Sequence, residues 1–120
     1  MAGYRELKVW QLGMSLTTRV YKLTGNFPQH ELYGLTSQLR RASVSIPSNI
    51  AEGHARSTPK EMIRFCSIAK GSLAELETQI LVSIELGYSS ADAAAGILES
   101  TTELGRMLSG LIRSNREQSN

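Results

Sequence analysis

The chain has 120 residues, 41% of them hydrophobic and 20% charged, with one cysteine, three prolines and a formal net charge of +2. That length suits one domain with one core, and the apolar content excludes a disordered or collagen-like chain. The lone Cys66 excludes an intramolecular disulfide framework and a multi-cysteine zinc site, and it fits a reducing compartment.

The opening MAGYRELKVW carries Arg5, Glu6 and Lys8 where a signal peptide would have its apolar core. No stretch reaches the ~20 apolar residues that span a bilayer. The expected address is the cytoplasm, with no membrane partner. Turn signals then cut the chain at TGNFPQH (24–30), GHARST (53–58) and GYSS (87–90), each following an apolar-periodic run and each holding a glycine suited to the left-handed position past a helix end. The clearest helix start is Thr58-Pro59-Lys60-Glu61, where Thr58 caps, Pro59 fits the first turn and Glu61 reaches back.

Helices are predicted over roughly 6–24, 31–52, 59–86 and 91–113. Short connections force antiparallel neighbours, so the expected fold is all-α, an antiparallel up-down-up-down four-helix bundle. Residues 1–113 form its single domain, and 114–120 read as a polar, frayed C-terminal tail.

The first helix carries two apolar stripes. Leu7, Trp10, Met14 and Tyr21 make one; Val9, Leu12, Leu16, Val20 and Leu23 make another, their centres about 140° apart. One stripe serves the bundle core. The second, Val9 to Leu23, is assigned to contact between subunits, because an exposed stripe of that size would be an unusual apolar patch. The competing reading is a helix wedged deeply into its own bundle.

In the second helix Leu32, Leu35, Leu39, Ala42, Ile46 and Ile50 keep helical phase across Pro47. The helix is therefore expected to continue past the proline with a bend. Ser43, Ser45 and Ser48, or water, are candidates to satisfy the carbonyl of Ser43 that Pro47 cannot serve. The third segment repeats Met62, Phe65, Cys66, Ala69, Leu73, Leu76 and Ile80; the fourth repeats Ile97, Thr101, Leu104, Leu108 and Leu111.

Catalytic chemistry finds little support. A di-metal bundle site needs Glu-x-x-His on two helices, whereas His30 and His54 are preceded three places earlier by Phe27 and Ala51. Cys66 sits in an apolar stripe, and Glu75, Glu77 and Glu85 point to different helix angles. The expectation is no enzyme, no catalytic residue, no metal and no cofactor. Charge is more informative. Residues 1–70 hold ten Lys/Arg against four Glu, and residues 71–120 hold three against seven acidic groups. Arg40, Arg41, Arg56, Lys60 and Arg64 are the candidate nucleic-acid contacts, a basic rim near one bundle end meeting phosphates. Against this stands ordinary salt bridging to Glu52 or Glu61.

The segments LKVWQ (Leu7–Gln11), FPQHE (Phe27–Glu31), GLTSQLRRASVSIPSNIAEG (Gly34–Gly53), IAKGSLAELETQ (Ile68–Gln79) and LGY (Leu86–Tyr88) occur in this order. Together they resemble the bacterial four-helix-bundle family named after proteins encoded in intervening sequences of 23S ribosomal RNA genes, over about residues 5 to 112. The resemblance implies a four-helix bundle that assembles as a five-fold ring. Relatives include the accessory protein of diversity-generating retroelements, a basic pentamer that works with a reverse transcriptase and binds nucleic acid. The expected partners are thus further copies of the chain, most simply a homopentamer, together with RNA. The alternative is a structural or protein-interaction scaffold, in which another protein is the partner and the arginines make subunit salt bridges.

Overall fold

Residues 3–119 are described by the computed structural model. A single 3-10 turn (Tyr4–Glu6) leads into α1 (Lys8–Thr24), and a second (Gln29–Glu31) precedes α2 (Leu35–Ala55); α3 (Pro59–Glu85) and α4 (Ala91–Ser119) complete the chain. No strand occurs among the described residues. Consecutive helices pack against each other and α4 closes on α1, giving a four-helix bundle of 48 × 21 × 20 Å.

The proline is the instructive element of α2. The helix does run through Pro47, as the apolar phase requires. The carbonyl of Ser43, deprived of the amide four residues on, is served from outside its own helix: Thr17 Oγ1 on α1 lies 2.9 Å from it and 2.9 Å from Gly13 O, one turn back. None of the three candidate serines does this. Ser43 Oγ donates to Arg40 O, and Ser45 Oγ pairs with Ser72 Oγ of α3 at 2.8 Å. Beside the hydroxyl, the Pro47 ring lies against the backbone of α1 at Gly13.

That contact sets the rotation of α1 and reverses the expected roles of its stripes. Val9, Leu16 and Val20 are buried in the bundle's own core, and Leu12 and Leu23 pack against it partly covered. The residues assigned to subunit contact therefore hold the single chain together. Gly13 and Thr17 lie beside this stripe, so seating them on Pro47 and Ser43 turns it inward. On the other stripe Leu7 and Trp10 are half-buried, while Met14 and Tyr21 stay 44% and 43% exposed. Buried residues of α2, α3 and α4 follow the predicted periodicity, apart from Leu32, which is exposed, and Leu35 and Leu111, which are partly covered.

Helix ends depart from expectation for local reasons. α2 starts at Leu35 rather than 31 because Glu31 caps it: Oε1 accepts from the Leu35 amide at 3.0 Å. The other oxygen of Glu31 accepts from Tyr88 Oη at 2.9 Å, and the Tyr88 ring packs on Phe27 with centroids 5.6 Å apart. This joins the α1–α2 connection to the α3–α4 turn. Of the turn glycines, Gly87 adopts the left-handed conformation (φ 77°), but after α2 that position falls to Ser57 (φ 63°). The segment read as a frayed tail is helical through Ser119. Nothing after Gly110 breaks a helix, Arg, Glu and Gln favour one, and Asn115 Nδ2 donates to Leu111 O at 2.8 Å.

Thr17→Val keeps the shape and removes the proton donor, leaving the Ser43 carbonyl unserved; urea denaturation should show a loss of about 1–3 kcal/mol. Adding Pro47→Ala restores an amide to that carbonyl, so the double variant should lose clearly less than the sum of the single effects. Strict additivity would show that the hydroxyl does not serve the proline's vacancy.

The Leu35 amide, and secondarily the Tyr88 hydroxyl, hold the Glu31 carboxyl below the usual carboxylate range. A carboxyl lowered by folding stabilises above its unfolded pKa, about 4.3, and that contribution disappears as pH falls through the lower folded value. Wild type should exceed Glu31→Gln in urea midpoint above about pH 5, and the gap should narrow as the pH is lowered below the unfolded value; a gap independent of pH would contradict this.

Candidate nucleic-acid interface

In an up-down-up-down bundle, the starts of α1 and α3 share one end with the finishes of α2 and α4. That end gathers Arg5 and Lys8, Arg56, Lys60 and Arg64, and Arg113 and Arg116, with Lys70 three turns into α3. Its carboxylates are Glu6, Glu52, Glu61 and Glu117. The opposite half carries Glu31, Glu75, Glu77, Glu85, Asp92, Glu99 and Glu103, against Arg19, Lys22, Arg40, Arg41 and Arg106. Charge is thus divided along the bundle axis rather than between the two halves of the chain.

The five expected contacts do not form one rim. Arg56, Lys60 and Arg64 do come together at the α2–α3 turn. Arg56 pairs with Glu52 at 2.9 Å and Arg64 with Glu61 at 3.6 Å, all of them exposed groups except the half-buried Glu61. The guanidinium carbons of Arg56 and Arg64 each stand 5.2 Å from the Phe65 ring centroid. Exposed pairs of this kind contribute about 0–1 kcal/mol, so they orient the arginines without locking them. Lys60 is exposed and has no carboxylate within ion-pair distance among the described residues.

Arg40 and Arg41 belong elsewhere. Arg40 Nε donates to Thr24 Oγ1 at 2.9 Å and Nη2 to Tyr21 O at 3.4 Å, with the guanidinium 4.6 Å over the Tyr21 ring. It finishes the C-terminal turn of α1, where a cation is favoured. Arg41 is exposed on a polar groove of about 340 Å³ between α2 and α3, with Gln38, Ser45, Ser72, Glu75 and Gln79. Fifteen residues separate it from Arg56, roughly 22 Å of helix.

A second groove, of about 450 Å³ between α3 and α4, is lined by Ser67, Lys70, Ser109, Ile112, Arg113 and Arg116. Lys70 Nζ donates to Ser109 Oγ at 2.9 Å, and no carboxylate lines the groove. Its cations escaped the sequence reading because Arg113 and Arg116 lie in the acidic half of the chain, at the edge of the supposed tail. Their three-residue spacing on a helix antiparallel to the one bearing Lys70 is the signal that finds them.

Other reactive side chains are dispersed. Cys66 is fully buried, and that burial pushes its thiol up to about 11, far from thiolate chemistry. Glu77 accepts from Thr101 Oγ1 at 2.7 Å, while Glu75 faces the α2–α3 groove. Among the described residues no helix is long and apolar enough to cross a membrane.

Fold and site together define a small four-helix bundle with one cationic end. The chain matches the family described as 23S rRNA-intervening sequence protein over residues 5–110, and it belongs to that family. A crystal structure of a protein of unknown function from the S23 ribosomal protein family of Bacteroides thetaiotaomicron superposes with a TM-score of 0.77; it is 22% identical and covers 87% of this chain and 97% of its own. No curated protein matches the chain significantly.

The cationic end depends on a close helix approach. A Cβ on Gly53 would stand 2.9 Å from Phe65 Cβ and 3.2 Å from Met62 Sδ, so α2 and α3 meet at the turn only because that side chain is absent. Gly53→Ala should destabilise by about 1–3 kcal/mol through overpacking, although alanine is the better helix former. An unchanged or raised melting temperature would contradict the close approach.

Proposed function

We propose that the protein is a non-enzymatic, self-associating bundle of the bacterial cytoplasm that binds RNA through phosphate contacts at its cationic end. The α3–α4 groove carries this reading: three cations and two hydroxyls line it without a carboxylate. Arginine forks suit phosphate oxygens in a way that ammonium groups do not. No aromatic side chain lines the groove, so base stacking is not offered, and binding should tolerate many sequences.

Self-association strengthens the reading. Each copy adds another cationic end, and several ends on one strand raise the effective concentration of each. The resemblance to ring-forming relatives suggests five copies. The alternative, a protein-interaction scaffold without RNA, is favoured by the apolar ridge that the bundle leaves on α1.

Fluorescence anisotropy with a single-stranded RNA of mixed sequence tests the proposal. Affinity should fall with salt with a logarithmic slope near −0.7 per neutralised phosphate. Arg113→Gln with Arg116→Gln should reduce the magnitude of the slope by about 1.4 if each arginine meets one phosphate in a single bound copy, whereas Arg41→Gln should leave it unchanged. No measurable binding at low salt, or an equal effect from Arg41→Gln, would overturn the assignment.

A further inference from the structure

The two hydroxyls of the α3–α4 groove are committed in opposite senses. Ser67 Oγ donates to Ile63 O at 2.8 Å, one turn back on α3, so its proton is spent and only lone pairs are left to offer. Ser109 Oγ, on the facing wall of α4, accepts from Lys70 Nζ at 2.9 Å and donates to no group among the described residues. It has a proton to give.

Charge is ordered around this pair. The Lys70–Ser109 bond fixes the register of the antiparallel helices α3 and α4. From there towards the bundle end, Ser67 comes level with Ile112 and Arg113, and Arg116 lies one turn further. Ser109 and Arg116 are thus about 10 Å apart along the axis. The order along the groove is cation, hydroxyl pair, cations, with no carboxylate lining it. Ile112, only 7% exposed, supplies an apolar surface among them.

A nucleotide within an RNA strand presents the same order: a phosphate, a sugar bearing a 2′-hydroxyl, and the next phosphate. We infer that the groove seats a ribose between the phosphates met by Lys70 and Arg113 and recognises its 2′-hydroxyl through Ser67 and Ser109. This rests on the RNA-binding reading above and names the group that separates RNA from DNA there. A 2′-hydroxyl both gives and takes a hydrogen bond. It donates to Ser67 Oγ and accepts from Ser109 Oγ. Lys70 keeps two of its three protons for one phosphate, Arg113 meets the next and Arg116 the one beyond. The carbon edge of the sugar lies on Ile112. A deoxyribose in the same place displaces water from both hydroxyls and returns no hydrogen bond, which loses affinity. No base is contacted, so the preference is for the sugar and leaves sequence free.

Fluorescence anisotropy of the intact protein with an oligouridine and an oligodeoxyuridine of equal length tests this, because those strands differ only at the 2′ position. The ribose strand should bind about tenfold more tightly, the equivalent of one or two net hydrogen bonds, with the same salt slope. Ser67→Ala combined with Ser109→Ala should make the two strands equal by weakening the ribose strand alone. Alanine is the better helix former at both positions, and unchanged circular dichroism checks the fold.

Equal binding of the two strands by wild type, with the expected salt slope, would overturn sugar recognition and leave the phosphate contacts standing. A ribose preference that survives the double substitution would overturn it too. Binding of neither strand at low salt would overturn this inference and the RNA-binding reading together.

Discussion

A proline in mid-helix leaves one carbonyl without its amide, and the answer to that vacancy organises the bundle. Thr17 approaches the Ser43 carbonyl while Gly13 allows the Pro47 ring to lie on the backbone of α1. An unserved buried carbonyl costs about 1–3 kcal/mol, which adds to the burial of Val9, Leu16 and Val20 in favouring this rotation of α1. Once α1 is turned this way, Leu16 and Val20 enter the core. Tyr21 is carried to the seam where Arg40 covers its ring and closes the end of α1. The exposed ridge is the remainder of the same choice.

Antiparallel packing then distributes the charge. Arg56, Lys60 and Arg64 flank one turn, while Arg113 and Arg116 return on α4 to the same end. The ion pairs to Glu52 and Glu61 lie at the surface and are weak, and Lys70, Arg113 and Arg116 share a groove lined by no carboxylate. A net charge of +2 thus conceals a local field that a chain-wide sum averages away.

Much of the fold was legible because it depends on local signals. Thr58 Oγ1 does accept from the Glu61 amide, at 3.2 Å, with Pro59 in the first turn of α3. The apolar periods of Ile46, Ile50, Leu73, Leu76 and Leu104 name buried side chains. What escaped depends on contacts between distant segments. Which stripe of α1 faces the core depends on its packing against α2, where Pro47 lies on Gly13, and Glu31 caps α2 while held by Tyr88 across the bundle. Of the site, the cluster at the α2–α3 turn was readable because its members are neighbours in sequence. The place of Arg40 against α1 was not readable because its partners there lie 16 and 19 residues away. Lys70 and Arg113 meet only through the pairing of α3 with α4.

The cationic end is the central functional claim, and lysine footprinting tests it most directly. The chain's four lysines, Lys8, Lys22, Lys60 and Lys70, sample both ends of the bundle. Acetylation read by mass spectrometry, with and without single-stranded RNA, should show Lys8, Lys60 and Lys70 losing reactivity while Lys22 keeps its own. Protection centred on Lys22, or protection of no lysine at saturating RNA, would contradict the account.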